Sequence, residues 1–159
     1  MKKYLVVAMF ALLSTVATAA DKGTGLALEA YSSGQVGVAK YETNWAAGLA
    51  TQMTGSNING TDKADSVLNV WGEWRKDVGS STAFVLGAQV GFGFNGKESG
   101  RDRTSDTYLG VFTGYESAVT DKLLVKGLLT LGNRSFNLTT ADANNITALQ
   151  ATLGLSYFL

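Results

Sequence analysis

Ile146–Leu159 reads ITALQATLGLSYFL, a segment without charge that alternates apolar and small polar side chains to its end. Leu149, Ala151, Leu153, Leu155, Tyr157 and Leu159 share one parity, and Gln150, Thr152, Gly154 and Ser156 share the other. Successive side chains of a strand point to opposite faces, so the segment predicts a strand with one apolar and one small polar side.

Working back toward the N-terminus, the same alternation recurs in stretches of about ten residues, the length a tilted strand needs to cross a hydrocarbon layer. Lys122 to Arg134 sets Leu123, Val125, Gly127, Leu129 and Leu131 against Lys126 and Thr130, and Thr107 to Glu116 sets Leu109, Val111, Thr113 and Tyr115 against Gly110, Phe112, Gly114 and Glu116. In Thr82 to Phe94, the residues Phe84, Leu86, Ala88, Val90, Phe92 and Phe94 oppose Val85, Gly87, Gln89, Gly91 and Gly93. Asp65 to Arg75, Asn44 to Met53 and Thr24 to Ser32 repeat the pattern. A turn at Ser32, Ser33 and Gly34 leads into Gln35 to Tyr41, whose faces are ambiguous because Val36 and Val38 share a parity with Lys40. Eight strands are predicted. Their connections alternate between short ones, at 42–44, 77–81 and 119–121, and longer polar ones, expected as loops at 54–64, 95–106 and 135–145.

A chain of 159 residues leaves room for one domain. Lys2 and Lys3, the apolar run from Tyr4 to Leu13, and Ala17, Thr18 and Ala19 predict a secretory signal peptide over residues 1–20, cleaved after Ala19 or Ala20. The expected domain is then 21–159, with 11 Lys and Arg against 13 Asp and Glu, a balance that argues against nucleic acid as a partner. No stretch of that domain holds the roughly 18 consecutive apolar residues of a membrane helix, so membrane residence would require a closed barrel. The absence of cysteine excludes disulfides and thiolate metal sites; the absence of proline, beside 19 glycines, suits long unbroken hydrogen-bond ladders.

Alternation alone does not separate a membrane barrel from a soluble sandwich, since both have an apolar and a polar face in opposite placement. The composition of the polar face favours the barrel. It is mostly Gly, Ala, Ser and Gln with isolated charges, which suits the narrow lumen of an eight-stranded barrel rather than a sheet surface in water. Tyr41, Trp45, Trp74, Phe84, Tyr115 and Tyr157 lie beside the short connections, where an interfacial girdle is expected. The terminal segment resembles the closing strand of bacterial outer-membrane β-barrels, with an aromatic third from the end and apolar residues at every second position. Leu159 stands where that family usually has Phe.

By pattern, the whole mature chain resembles the small eight-stranded outer-membrane barrels of the OmpX, OmpA transmembrane-domain and opacity-protein type. The resemblance implies an all-β, antiparallel up-and-down transmembrane barrel in the outer membrane of a Gram-negative bacterium. It further implies a monomer without cofactor or enzymatic activity that supports the envelope or presents surface loops for interaction or adhesion. Implied partners are outer-membrane lipid, lipopolysaccharide and, through the C-terminal strand, the assembly machinery. A narrow channel for small or hydrophobic solutes and a soluble secreted ligand-binding barrel are the alternatives.

Glu29, Glu73, Arg75, Glu116 and Lys126 share the lumen-facing parity and are expected to form a polar network of salt bridges and hydrogen bonds that fills the barrel. The alternative for these five is a gated polar path or a binding pocket. With no histidine, Ser-His hydrolysis and imidazole metal sites are impossible, and no serine is placed beside Lys126 for a Ser-Lys dyad. Gly91, Gly93 and Gly96 spell G-x-G-x-x-G within a strand and without a following helix, so lumen lining or a turn is the better reading than dinucleotide binding. Asp62 and Asp65, and Glu98, Asp102 and Asp106, match no calcium-loop spacing and predict solvated loop charge. Lys97, Arg101 and Arg103 are candidates for contact with lipopolysaccharide phosphates at the outer rim.

Overall fold

The computed structural model describes residues 24–58, 61–94, 97–98, 101–138 and 141–159, with side chains described for 24–52, 66–94, 106–137 and 145–159. The expected signal peptide, 1–20, lies outside the described residues. Nine strands follow one another: β1 (Gly25–Tyr31), β2 (Gln35–Tyr41), β3 (Trp45–Ile58), β4 (Thr61–Asp77), β5 (Thr82–Phe94), the two-residue β6 (Lys97–Glu98), β7 (Arg101–Ala118), β8 (Leu123–Leu138) and β9 (Ala141–Phe158). Each long strand pairs antiparallel with its neighbours, β5 pairs with β7, and β1 pairs with β9. Eight strands therefore close on themselves as an up-and-down barrel, while β6 forms a small ribbon with the start of β7.

The parities read from the sequence govern the wall. Leu109 and Leu149, each 67% exposed, lie outside with Leu86, Val111, Leu129 and Leu131, whereas Val85, Phe112, Leu124 and Ser156 lie buried inside. The uncertain β2 is resolved: Val36 and Val38 face outward, Ala39 and Tyr41 inward, and Lys40 stays outside, 3.1 Å from Glu42 at the rim. At the turn from β1, Gly34 takes φ 87°, a left-handed conformation that a β-carbon would strain, and its N–H donates to the Tyr31 carbonyl.

Some expectations need correction. The long polar loops at 54–64, 95–106 and 135–145 are instead largely strand, because the β3–β4 ladder runs up to Ile58↔Thr61, β7 begins at Arg101, and the β8–β9 ladder runs up to Leu138↔Ala141. Ladders are made by backbone groups and do not need an apolar face, so polar side chains on both sides hide the period of two without preventing the strand. Tyr41 is not part of an outer girdle. It has the inward parity of Ala39 and is 0% exposed, while Trp45, Trp74, Tyr115 and Tyr157 are about half exposed on the outer surface near the short-turn end. Trp45 pairs across strands with Trp74, and Phe84 meets Tyr115 edge to face at 5.7 Å.

The core is the lumen. Ala27, Ala39, Tyr41, Ala46, Trp71, Phe112, Leu124 and Phe158 form one buried cluster toward the short-turn end. Tyr41 takes edge-to-face contacts with Phe158 at 5.1 Å and with Trp71 at 6.4 Å, and Trp71 takes another with Phe112 at 6.5 Å. Gly87 makes room for this packing, since a β-carbon there would overlap the Phe112 ring and the Gly72 carbonyl.

Candidate functional site: the charged lumen

The five lumen residues expected from parity, Glu29, Glu73, Arg75, Glu116 and Lys126, are all buried, none more than 5% exposed. Strand register brings them together. Glu116 of β7 lies directly opposite Lys126 of β8, and Arg75 of β4 reaches Glu116 past the intervening β5. Arg75 Nε donates to Glu116 Oε1 at 2.5 Å, and its Nη1 donates to the Glu42 carbonyl at 2.6 Å, which ties the ion pair to the turn between β2 and β3. Lys126 Nζ donates to Glu73 Oε1 at 2.5 Å and lies 3.7 Å from Glu116 Oε2.

Glu29 takes no part in those ion pairs. Its Oε1 accepts from the Tyr41 hydroxyl at 2.6 Å and from Ser156 Oγ at 3.2 Å, so hydroxyls make the direct contacts to this carboxylate in place of a cation. Tyr41 is the residue that parity alone did not flag as part of the site. Its ring lies 5.0 Å from the Arg75 guanidinium carbon and 4.9 Å from Lys126 Nζ, and the Trp71 ring lies 4.8 Å from the same ammonium. Lys126 is thus held by two carboxylates and two aromatic faces, which together replace much of the hydration its burial removes. The signal available in the sequence was the odd placement of Tyr41 among Gly37 and Ala39, small residues of the same parity that leave space for a large ring.

Three carboxylates against two cations leave this layer one negative charge in excess when all are ionised, and Glu29 Oε2, Glu73 Oε2 and Arg75 Nη2 are buried without a hydrogen bond among the described residues. The layer lies in the lumen toward the short-turn end. Beyond it, toward the long-hairpin end, a small space bounded by Trp71, Glu73 and Phe112 leads to a cavity of about 320 Å³. That cavity is lined by the amides of Gln35, Gln52, Asn69, Gln89 and Gln150, by Tyr108, and by the Arg134–Asp106 pair, in which Arg134 Nε donates to Asp106 Oδ1 at 2.7 Å. Asp106 therefore belongs to the barrel wall and pairs inward, contrary to the expectation of solvated loop charge. Gly91 and Gly93 line the lumen under Asn69 and Asp106; Gly96 lies outside the described residues. The backbone puts Lys97 opposite Asp102, and Arg101 and Arg103 near the start of β7, but the side chains of these three basic residues lie outside those described.

Fold and lumen together define a class: a closed eight-stranded antiparallel barrel, apolar outside, with charged side chains buried inside. No protein-family model and no curated protein matches the chain.

Proposed function

We propose that the chain is a non-enzymatic outer-membrane barrel of a Gram-negative bacterium, a monomer that supports the envelope or presents its long-hairpin end for interaction or adhesion. The observation that carries this reading is the inversion of the wall: leucines, valines and aromatics stand exposed around the outside while Glu73, Arg75, Glu116 and Lys126 are buried within. In water this arrangement would expose the apolar face and bury the charges. In a bilayer it places each group in its favoured surroundings. Outer-membrane lipid is the partner of the apolar belt, the assembly machinery recognises the C-terminal strand, and Lys97, Arg101 and Arg103 meet lipopolysaccharide phosphates.

The filled lumen favours a plug over a pore. Sedimentation with membranes, release only by detergent and heat-modifiable gel mobility are the expected behaviour. A protein that stays monodisperse in plain buffer would refute the membrane reading. In planar bilayers the wild type is expected to give no conductance steps. Steps that disappear on substituting Glu73, Arg75 or Lys126 would replace the plug with a channel.

A further inference from the structure

The barrel wall is not continuous over its full height. β1 and β2 are seven residues each, whereas the strands that flank them, β3 and β9, are 14 and 18 residues long. The β1–β2 hairpin reaches up the wall only to the rungs Tyr31↔Gly154 and Gln35↔Gln52, where the Ser32 N–H donates to the Leu153 carbonyl at 2.7 Å and Ser32 Oγ accepts from the Leu153 N–H at 3.0 Å. Above that tip no pairing joins β3 to β9 among the described residues. Two absent strands leave a gap about 14 Å across at a spacing of about 4.8 Å per strand. Its mark on β9 is that residues 145–151 are exposed without interruption, on both parities, where every other long strand alternates.

The gap lies partly at the depth of the apolar belt. On β9 the outward series runs from Tyr157 to Leu149, and the hairpin tip meets it at Leu153. The four residues from Leu153 to Leu149 rise roughly 10 Å along the barrel axis at about 3.3 Å per residue and about 40° tilt. The same level is the floor of the amide-lined cavity. Gln35 and Gln52 on one lip of the gap and Gln150 and Ile146 on the other all border that single space. Ile146, of lumen-facing parity, stands 51% exposed at the rim. On the far wall Asn69 is 3% exposed, and its Oδ1 is buried without a hydrogen-bond partner among the described residues.

We propose that this gap is a lateral doorway and the cavity a binding site for a single-chain amphiphile with an uncharged hydroxyl- or amide-bearing head. The head sits among Gln35, Gln52, Asn69, Gln89 and Gln150, and the alkyl chain leaves between β3 and β9 past Ala148 and Leu149 into the bilayer. The cavity presents amides and a buried Asn69 oxygen that call for hydrogen-bonding groups, which the head supplies, while the belt outside the opening calls for hydrocarbon, which the chain supplies. A space of 320 Å³ falls at the small end of ligand pockets and suits a glycerol-sized head with the first part of a chain. The buried layer of Arg75, Glu116, Lys126 and Glu73 below makes this a site closed toward the short-turn end and not a route across the membrane.

The inference rests on the membrane reading, and the experiment separates the two. Vesicles of dioleoylphosphatidylcholine holding the full mature protein are doped with a monoacylglycerol carrying a diazirine beside its glycerol head, or with a phosphatidylcholine carrying one at mid-chain. The monoacylglycerol is expected to label peptides containing Gln52, Ile146 and Gln150, and the phosphatidylcholine those containing Leu109, Val111 and Leu131. Gln150→Trp, with Ala148→Trp as a second blocking variant should the first fail to fold, is expected to cut lumen labelling at least tenfold and leave outer-wall labelling unchanged. Labelling of the outer wall alone by both probes, or lumen labelling equal in folded blocking variants, overturns the doorway. Absence of outer-wall labelling by the phosphatidylcholine removes the membrane reading, and the doorway with it.

Discussion

Lys126 is the residue on which the lumen depends most. Its ammonium is the sole cation within reach of Glu73 among the described contacts, and it shares Glu116 with Arg75. Lys126→Met preserves the bulk of the stem but leaves Glu73 as a buried carboxylate without a counter-charge, a change that typically costs about 3–5 kcal/mol. Urea unfolding of the vesicle-inserted protein, followed by the folded and unfolded gel bands, is expected to shift to lower urea by that amount. An unchanged midpoint would mean that the ammonium is hydrated. Tyr41→Phe is a milder counterpart. It removes the hydroxyl that donates to Glu29 at 2.6 Å, and a loss of about 1–3 kcal/mol is expected, the penalty for under-serving a buried acceptor. A midpoint equal to wild type would show that Ser156 alone suffices for Glu29.

At the level of strands, close approach inside the lumen sets which positions tolerate a side chain. Gly87 of β5 lies under the Phe112 ring of β7, so Gly87→Leu overpacks the interior and is expected to cost about 1–3 kcal/mol. Combined with Phe112→Ala, the loss should be smaller than the two single losses added together. Additive losses would show that the two positions do not meet. Such pairs also mark what was legible in the sequence. Period-two alternation located eight strands and their faces, because the outer face and the lumen face carry different chemistry on successive residues. It also placed Glu29, Glu73, Arg75, Glu116 and Lys126 inside. Alternation carries no register, so which carboxylate meets which cation was not legible; the inward turn of Tyr41 was signalled only by its parity with Gly37 and Ala39, against its position beside a short connection. The upper parts of β3, β4, β7, β8 and β9 look like loops in the sequence because polar residues occupy both their parities, and only backbone pairing reveals them as strand.

For the whole molecule, the surroundings of the outer wall decide the proposed function, and a single substitution there discriminates. Val111 is 56% exposed, between the girdle near the short turns and the upper edge of the belt. Val111→Arg in hydrocarbon is expected to cost about 2–4 kcal/mol, whereas the same change on a water-exposed strand stays near ±0.5 kcal/mol. Unfolding from dioleoylphosphatidylcholine vesicles measures the difference, and a variant as stable as wild type would argue that water bathes that face.

The chain's three tryptophans divide between these worlds: Trp45 and Trp74 stand about half exposed on the outer wall, while Trp71 is sealed inside against an ammonium. Their emission therefore comes in two separable parts. In the proposed membrane setting, bromine atoms on the lipid tails would darken the outer pair, and the sealed indole would keep glowing until its neighbouring charge moved, so the protein would carry an optical reporter for its skin and another for its heart.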